Sequence, residues 1–265
     1  MTTRYVLELT DSELARYRMM ADMARRDEAD LWAAAGIAPG TIVADIGCGP
    51  GAIAAELATV VGPTGSVLAV DQDDAALTQA RALVAGRLLN NVVIGHGDAS
   101  DTGVAPGSID VAVVRHVLAH NGGREQSIVD HAASLLHAGG AVLLVDVDLT
   151  AQRWVPADTD LAQLQERYVD LHRRRGNDPA VGLRLGQLLG AAGLDVIEHR
   201  GWYSLVTPTA EIRPPAWIAR RALVDAGLAS AGDLERWSTA LARLDRCDEP
   251  ATVFIAMFAA IGRRR

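Results

Sequence analysis

Thr41-Ile42-Val43-Ala44-Asp45-Ile46-Gly47-Cys48-Gly49-Pro50-Gly51, followed by AIAAELATVV (52–61), is the stretch from which the rest of the chain can be read. A short apolar run enters a glycine-rich turn, and the turn opens a helical pattern. The same unit recurs downstream. SVLAV ends at Asp71 and precedes DAALTQARALVAG; NVVIG ends at His96-Gly97-Asp98; IDVAVV ends at Arg115 and precedes a helix near 124–136; Gly139-Gly140 then leads into AVLLVDV. Alternating strands and helices form right-handed βαβ crossovers, which place parallel strands in one sheet covered on both faces. Near-continuous apolar strands suit that double burial better than period-two strands do. The pattern predicts a doubly wound, mostly parallel α/β sheet. In such sheets ligands bind beyond the carboxyl ends of the strands.

Composition narrows the chemistry. The chain has 265 residues and 25 basic residues, every one of them arginine. Without lysine there is no Schiff base, no lysine general base and no phosphate-loop lysine. Cys48 and Cys247 are too few for a disulfide framework or a four-cysteine zinc site. A net charge of −8 argues against non-specific nucleic-acid binding. No apolar run approaches the ~18 residues of a membrane span. MTTRYVLELTDSE (1–13) is charged too early for a secretory signal. The expectation is a soluble, cytoplasmic, globular α/β protein without membrane or nucleic-acid partners; a homodimer is left open.

A helix is expected over 11–35, capped by Asp11 or Ser12 and stopped at Gly36. After Asp148 the pattern is less regular. Helices are expected at 158–175, 180–192, 215–227 and 231–245, with strands in LDVIEHRGWYSLV and ATVFIAMFAAI. No linker marks a second domain. The expectation is one domain over 1–265, with a core of about 36–148 plus 193–265. Helical cap elements are expected at about 1–35, 149–192 and 201–250.

Three carboxylates sharpen the glycine loop. Loosely read, Gly47, Gly49 and Ala52 satisfy a dinucleotide pattern, which is a weak signal alone. Asp45 lies just before the glycines, where it would repel a pyrophosphate but accept from an ammonium group. Asp71, 24 residues beyond Gly47, can accept from two ribose hydroxyls. Asp98, in Gly97-Asp98-Ala99, is placed to accept from an adenine amino group. Together they describe an adenosine bearing an amino acid.

VADIGCGPG (43–51), Asp71 after VLAV, GDA (97–99) and LLHAGGAVLLVDV (135–147), in that order, resemble the motifs of class I S-adenosylmethionine-dependent methyltransferases of the small-molecule branch. The resemblance covers roughly 10–148, and more weakly 176–200. It implies a seven-stranded Rossmann-like sheet and S-adenosylmethionine as cofactor. It also implies that Gly47, Gly49 and Gly51 approach the methionine part, with Asp45 organising their loop. Asp71 would hold the ribose and Gln72 neighbour the adenine. Asp98 and Ala99 would meet the adenine edge, and the backbone at Arg115 and His116 would lie near the sulfonium. SELARYRMMA (12–21) is similar to the family's N-terminal helix, so Tyr17 would help close the pocket. The family's metal-dependent members carry an Asp after the fourth strand; this chain has Arg115-His116 there, and no catalytic metal is expected. The cysteine set of arsenic methyltransferases is missing too.

For the acceptor end, the candidates are His116 and His120 in RHVLAH (115–120), a pair that shares a face if a helical turn forms. Either can be a base or a structural hydrogen-bonding residue. His120 matches a histidine common in the subgroup; His116 is more individual. Asp146 and Asp148 read as a strand end leaning toward the cleft. Trp154, Tyr168, Trp202, Tyr203 and Trp217 either fill the cap or line a substrate pocket. The reaction implied is methyl transfer to a small organic acceptor, a specialised metabolite, on oxygen ahead of nitrogen or carbon. The rivals are an NAD-dependent oxidoreductase and a regulatory or non-methylating S-adenosylmethionine-binding protein.

Overall fold

A computed structural model describes residues 10–265. Most of the stretch read above as carrying no secretory signal lies outside the described residues. The chain begins with α1 (Asp11–Asp27) and α2 (Ala29–Ala35), then β1 (Ile42–Ile46), α3 (Ala52–Val61), β2 (Ser66–Asp71), α4 (Asp74–Gly86), β3 (Val92–His96), β4 (Ile109–Arg115) and α5 (Glu125–Leu135). It continues through β5 (Leu136–Val155), α6 (Thr159–Arg174), α7 (Leu185–Ala191), β6 (Asp195–Val206), α8 (Pro215–Ile218), α9 (Arg220–Asp225), α10 (Ala231–Leu244) and β7 (Thr252–Arg263). The seven strands form one sheet in the order β3-β2-β1-β4-β5-β7-β6, with only β7 antiparallel to its neighbours. The doubly wound parallel sheet expected from the alternation is therefore present.

Strand order reverses between β1 and β4. The connections leaving these two strands run to opposite sides, and a crevice opens above their carboxyl ends. The sheet's centre is made of Val43, Ala44 and Ile46 from β1, Val111 to Val114 from β4, and Ala141 to Val145 from β5, all buried. This double burial explains why these strands lack a polar face.

The N-terminal helix differs from expectation. Thr10, not Asp11 or Ser12, is the cap; its side chain accepts from the Glu13 amide. The helix also breaks at Glu28, whose backbone leaves the helical region (φ −114°, ψ 5°). Gly36 ends α2 in the left-handed conformation, as predicted. The helix expected over 215–227 is likewise split, into α8 and α9.

β5 runs further than its sequence suggests. The pairing with β7 slips between Asp148 and Arg153, then resumes at Arg153↔Phe254 and continues to Val155↔Thr252. In the slipped segment the Leu149 amide donates to Pro179 O rather than to the ladder. The irregular text after Asp148 is thus a bulge within a strand. β5, β6 and β7 overhang the shorter strands and reach into the cap. There Trp154, Leu161, Leu164, Tyr168, Leu223 and Trp237 form a second apolar cluster. Leu149 and Ile255 pack against both clusters. Among the described residues no helix is long and apolar enough to cross a membrane.

Candidate functional site

A cavity of about 1180 Å³ lies over the strand switch, bounded by α1, the strand ends and the overhanging β5, β6 and β7. Tyr17, Asp45, Gly47, Gly49, Asp71, Gln72, Ala99, Arg115, His116 and His120 all line it. Two of the cofactor-binding candidates named from sequence do not. Gly51 lies beneath the loop as the N-cap of α3. Asp98 is turned aside, because its carboxylate accepts from the Ser100 amide and hydroxyl and from Arg124. Gly97 and Ala99, on either side of Asp98, do line the cavity.

The glycine loop is shaped by close packing. At Gly47 (φ +76°) an added Cβ would fall 2.4 Å from Val117 Cγ2, and at Gly51 (φ +80°) 2.9 Å from Ala80 Cβ. Positive φ and a neighbour at that distance both require glycine. The Tyr17 ring lies over Gly49, 3.6 Å from where its Cβ would be. Asp71 braces the loop from the next strand: one oxygen accepts from the Gly49 amide at 2.8 Å, the other from the Asp73 amide at 3.0 Å.

Asp45 is buried, and its Oδ2 has no hydrogen-bond partner among the described residues. Burial, reinforced by the charge of Asp71, raises its pKa to about 7. A buried orphan oxygen facing a cavity is matched by a ligand that brings a donor or a positive charge. Together with the glycine cradle, it makes this end fit the amino-acid part of S-adenosylmethionine.

At the opposite end, β4 passes into a 3-10 turn at Leu118–His120. His116 precedes that turn with φ +55°. The two histidines therefore do not share an α-helical face, although both reach the cavity. A non-glycine residue held at positive φ is backbone strain of about 1–3 kcal/mol, of the kind that collects at functional sites. The His116 amide donates to Val145 O at 2.8 Å, and its Nδ1 lies 3.9 Å from Asp146 Oδ1. Asp146 is buried and accepts from the amides of Val147 (2.9 Å) and Ala119 (3.2 Å). Burial lowers the pKa of His116, helped by Arg115. Burial and the neighbouring His172 push His120 down to about 3. The His172 ring stands 5.0 Å from that of His120 and its Nδ1 is 3.0 Å from Ala119 O.

Several lining residues were not picked out from sequence. Glu28, at the break between α1 and α2, meets Arg115 through Nε (3.2 Å) and Nη2 (2.9 Å). Met19, Met20 and Met23 line the cavity from α1, and Met257 from β7. Their signal was the apolar spacing on α1 and the alternation of Val253, Ile255 and Met257 on β7. Of the five cap aromatics, Tyr168 lines the cavity; Trp154 and Trp217 belong to the cap cluster, Trp202 packs on the sheet core, and Tyr203 is exposed. Asp148 folds back onto Thr150. No group of three or more metal-binding side chains occurs among the described residues.

Comparisons with known proteins bear on this geometry. A family profile described as a methyltransferase domain matches residues 37–181. An uncharacterized 37.1 kDa protein in transposon TN4556 of Streptomyces fradiae is 28% identical over 176 residues, covering 66% of this chain and 49% of that protein. An arsenite methyltransferase of Halobacterium salinarum is 34% identical over 117 residues, 44% of this chain and 30% of that protein. The matches thus span half or less of these curated relatives. The solved YcgJ protein of Bacillus subtilis shares the fold at a TM-score of 0.59, with 18% identity, covering 91% of this chain and 99% of that one. With the profile matched over more than half of the chain, the chain belongs to the methyltransferase domain family, within the class I S-adenosylmethionine-dependent superfamily.

Proposed function

We propose that the protein methylates a small organic molecule, a specialised metabolite, on oxygen in preference to nitrogen or carbon. The observation that carries this reading is one cavity with two unlike ends. At one end are the glycine loop, Asp45 and Asp71; at the other are two neutral imidazoles under an apolar wall. Gly47 and Gly49 would lie against the methionine part, the orphan oxygen of Asp45 would face its ammonium, Asp71 would hold the ribose, and Gln72 and Ala99 would flank the adenine. Tyr17 would cover the loop. When bound, S-adenosylmethionine supplies an electrophilic methyl on a sulfonium that leaves as a neutral thioether.

The chain's own contribution is alignment and proton removal. Aligning two bound reactants can account for ~7–11 kcal/mol of a barrier, and a positioned base for ~10²–10⁴-fold in rate. His116 suits the base better than His120, because a group held at about 3 accepts protons poorly. With Nδ1 toward Asp146, His116 offers Nε2 to the acceptor hydroxyl, and the imidazolium formed faces the Asp146 carboxylate. Arg115 is held by Glu28 and serves as structure. Arsenite, the substrate in the name of one relative, is thiophilic; here Cys48 is buried in the loop and Cys247 is exposed after α10. The whole chain is read as one domain, with the cap closing the acceptor end. The reading includes a cytoplasmic location and no nucleic-acid partner, the latter supported by the net charge of −8; a homodimer stays compatible with it.

The test is release of S-adenosylhomocysteine from S-adenosylmethionine on a panel of hydroxylated, amino and carbon acceptors, followed by mass spectrometry. A methyl found on oxygen supports the reading. Transfer confined to nitrogen or carbon overturns the oxygen preference, and no release with any acceptor favours a non-methylating binding protein.

A further inference from the structure

The acceptor end is built differently from the cofactor end. Its walls come from α1 and the overhanging strands. Four of the chain's five methionines line the cavity, three from α1 and one from β7. Methionine is flexible and polarizable, and it conforms to apolar surfaces of varied shape. On β7 the alternate residues Val253, Ile255 and Met257 face inward. Their partners on β6 are Val206, Ser204 and Trp202, of which the first two also line the cavity.

The charges matter as much as the apolar wall. Among the described residues, three arginines line the cavity, against seven acidic side chains. Each arginine is already met by a carboxylate of the chain itself. Arg16 Nε donates to Glu13 at 2.9 Å, Arg115 Nη2 to Glu28 at 2.9 Å, and Arg213 Nη1 to Asp245 at 2.9 Å. Asp146, buried beside the histidines, lines the cavity and accepts from the backbone amides of Ala119 and Val147. A phosphate or carboxylate brought here would lose its water, face Asp146, and find guanidiniums already neutralised. Burying a charge without compensation is costly.

We infer that the acceptor end takes an uncharged, predominantly apolar molecule and discriminates against anionic counterparts of the same shape. This rests on the methyl-transfer reading above, which assigns the other end to the cofactor. Gln152 and Ser204 supply neutral polar contacts on the apolar wall.

The test uses binding, so that it is separate from turnover. The full-length protein is saturated with S-adenosylhomocysteine and titrated with Nile red, a neutral apolar dye. The dye is then displaced by 2-naphthol or by 2-naphthyl phosphate. Dye binding is expected, with the naphthol at least about tenfold more effective than the phosphate, a gap of about 1.4 kcal/mol. Met23→Glu and Ile255→Asp should each weaken the dye while S-adenosylhomocysteine still binds. In Asp245→Asn, which releases Arg213, the gap should narrow. Equal or stronger displacement by the phosphate overturns the inference, as does dye binding that survives both cavity variants or a gap unchanged in Asp245→Asn. Loss of S-adenosylhomocysteine binding in the wild type would instead strike the cofactor reading.

Discussion

Arg115 and Glu28 are 87 positions apart in sequence, yet the Arg115 guanidinium meets the Glu28 carboxylate at 2.9 Å with both side chains almost wholly buried. The pair ties the break between α1 and α2 to the end of β4, where the chain turns into His116. It couples the N-terminal helix, which carries Tyr17 over the glycine loop, to the histidine end of the cavity.

Removing one member of this pair strands the other. Glu28→Gln leaves a buried guanidinium without its countercharge, and losses of about 3–5 kcal/mol are typical. Chemical denaturation of the variant should show a midpoint well below wild type. A midpoint equal to wild type would show that the pair contributes nothing net.

Asp71 braces the loop and, in the proposed function, the ribose. Asp71→Ala removes the acceptor for the Gly49 and Asp73 amides as well as for the cofactor. A weakening of S-adenosylhomocysteine binding by about 1.5–3 kcal/mol is expected, calorimetrically about tenfold to a hundredfold. Wild-type affinity in the variant refutes the ribose assignment.

His116→Ala should lower kcat by about 10²–10⁴-fold with cofactor affinity little changed. The pH profile adds a second readout. The His116 pKa lies below its ordinary 6.5 because burial and Arg115 disfavour the charged form. The neutral, base-competent ring therefore persists as pH falls through 6.5, and the acid limb of kcat should lie below that value. An acid limb centred above 7 would rule out His116 as the group observed.

Asp45 gives a pH dependence of opposite origin. Its folded pKa of about 7 exceeds the ordinary 3.8, so the cofactor-free folded state binds this proton more tightly than the unfolded chain. Stability from this group rises as pH falls through 7 and levels off below 3.8, where the unfolded carboxyl is also protonated. Cofactor-free wild type should gain thermal stability between pH 8 and pH 6 relative to Asp45→Asn. Parallel melting curves for the two proteins would contradict this.

The sheet was legible in the sequence because its strands are buried on both faces and punctuated by glycine and aspartate at their carboxyl ends. Asp45, Gly47 and Asp71 sit at the switch because a strand end is a fixed address in such a fold. What escaped were long-range pairings. Nothing near Glu28 announces Arg115, and the helical periodicity runs on through the break. Asp98 ends its loop where expected, yet Arg124 on a later segment claims its carboxylate. The bulge in β5 hid the strand's overhang and so concealed that β5, β6 and β7 build one wall of the cavity. The histidine spacing suggested one helical face, whereas the positive φ of His116 and the short 3-10 turn deliver both rings by another path.

The proposed function turns on the glycine loop, Asp45 and Asp71 holding S-adenosylmethionine. Calorimetric titration of the purified chain with S-adenosylhomocysteine and, separately, with NADH tests it most directly. Saturable one-to-one binding of S-adenosylhomocysteine and no heat from NADH is the predicted result. Saturable NADH binding with no response to S-adenosylhomocysteine would contradict it.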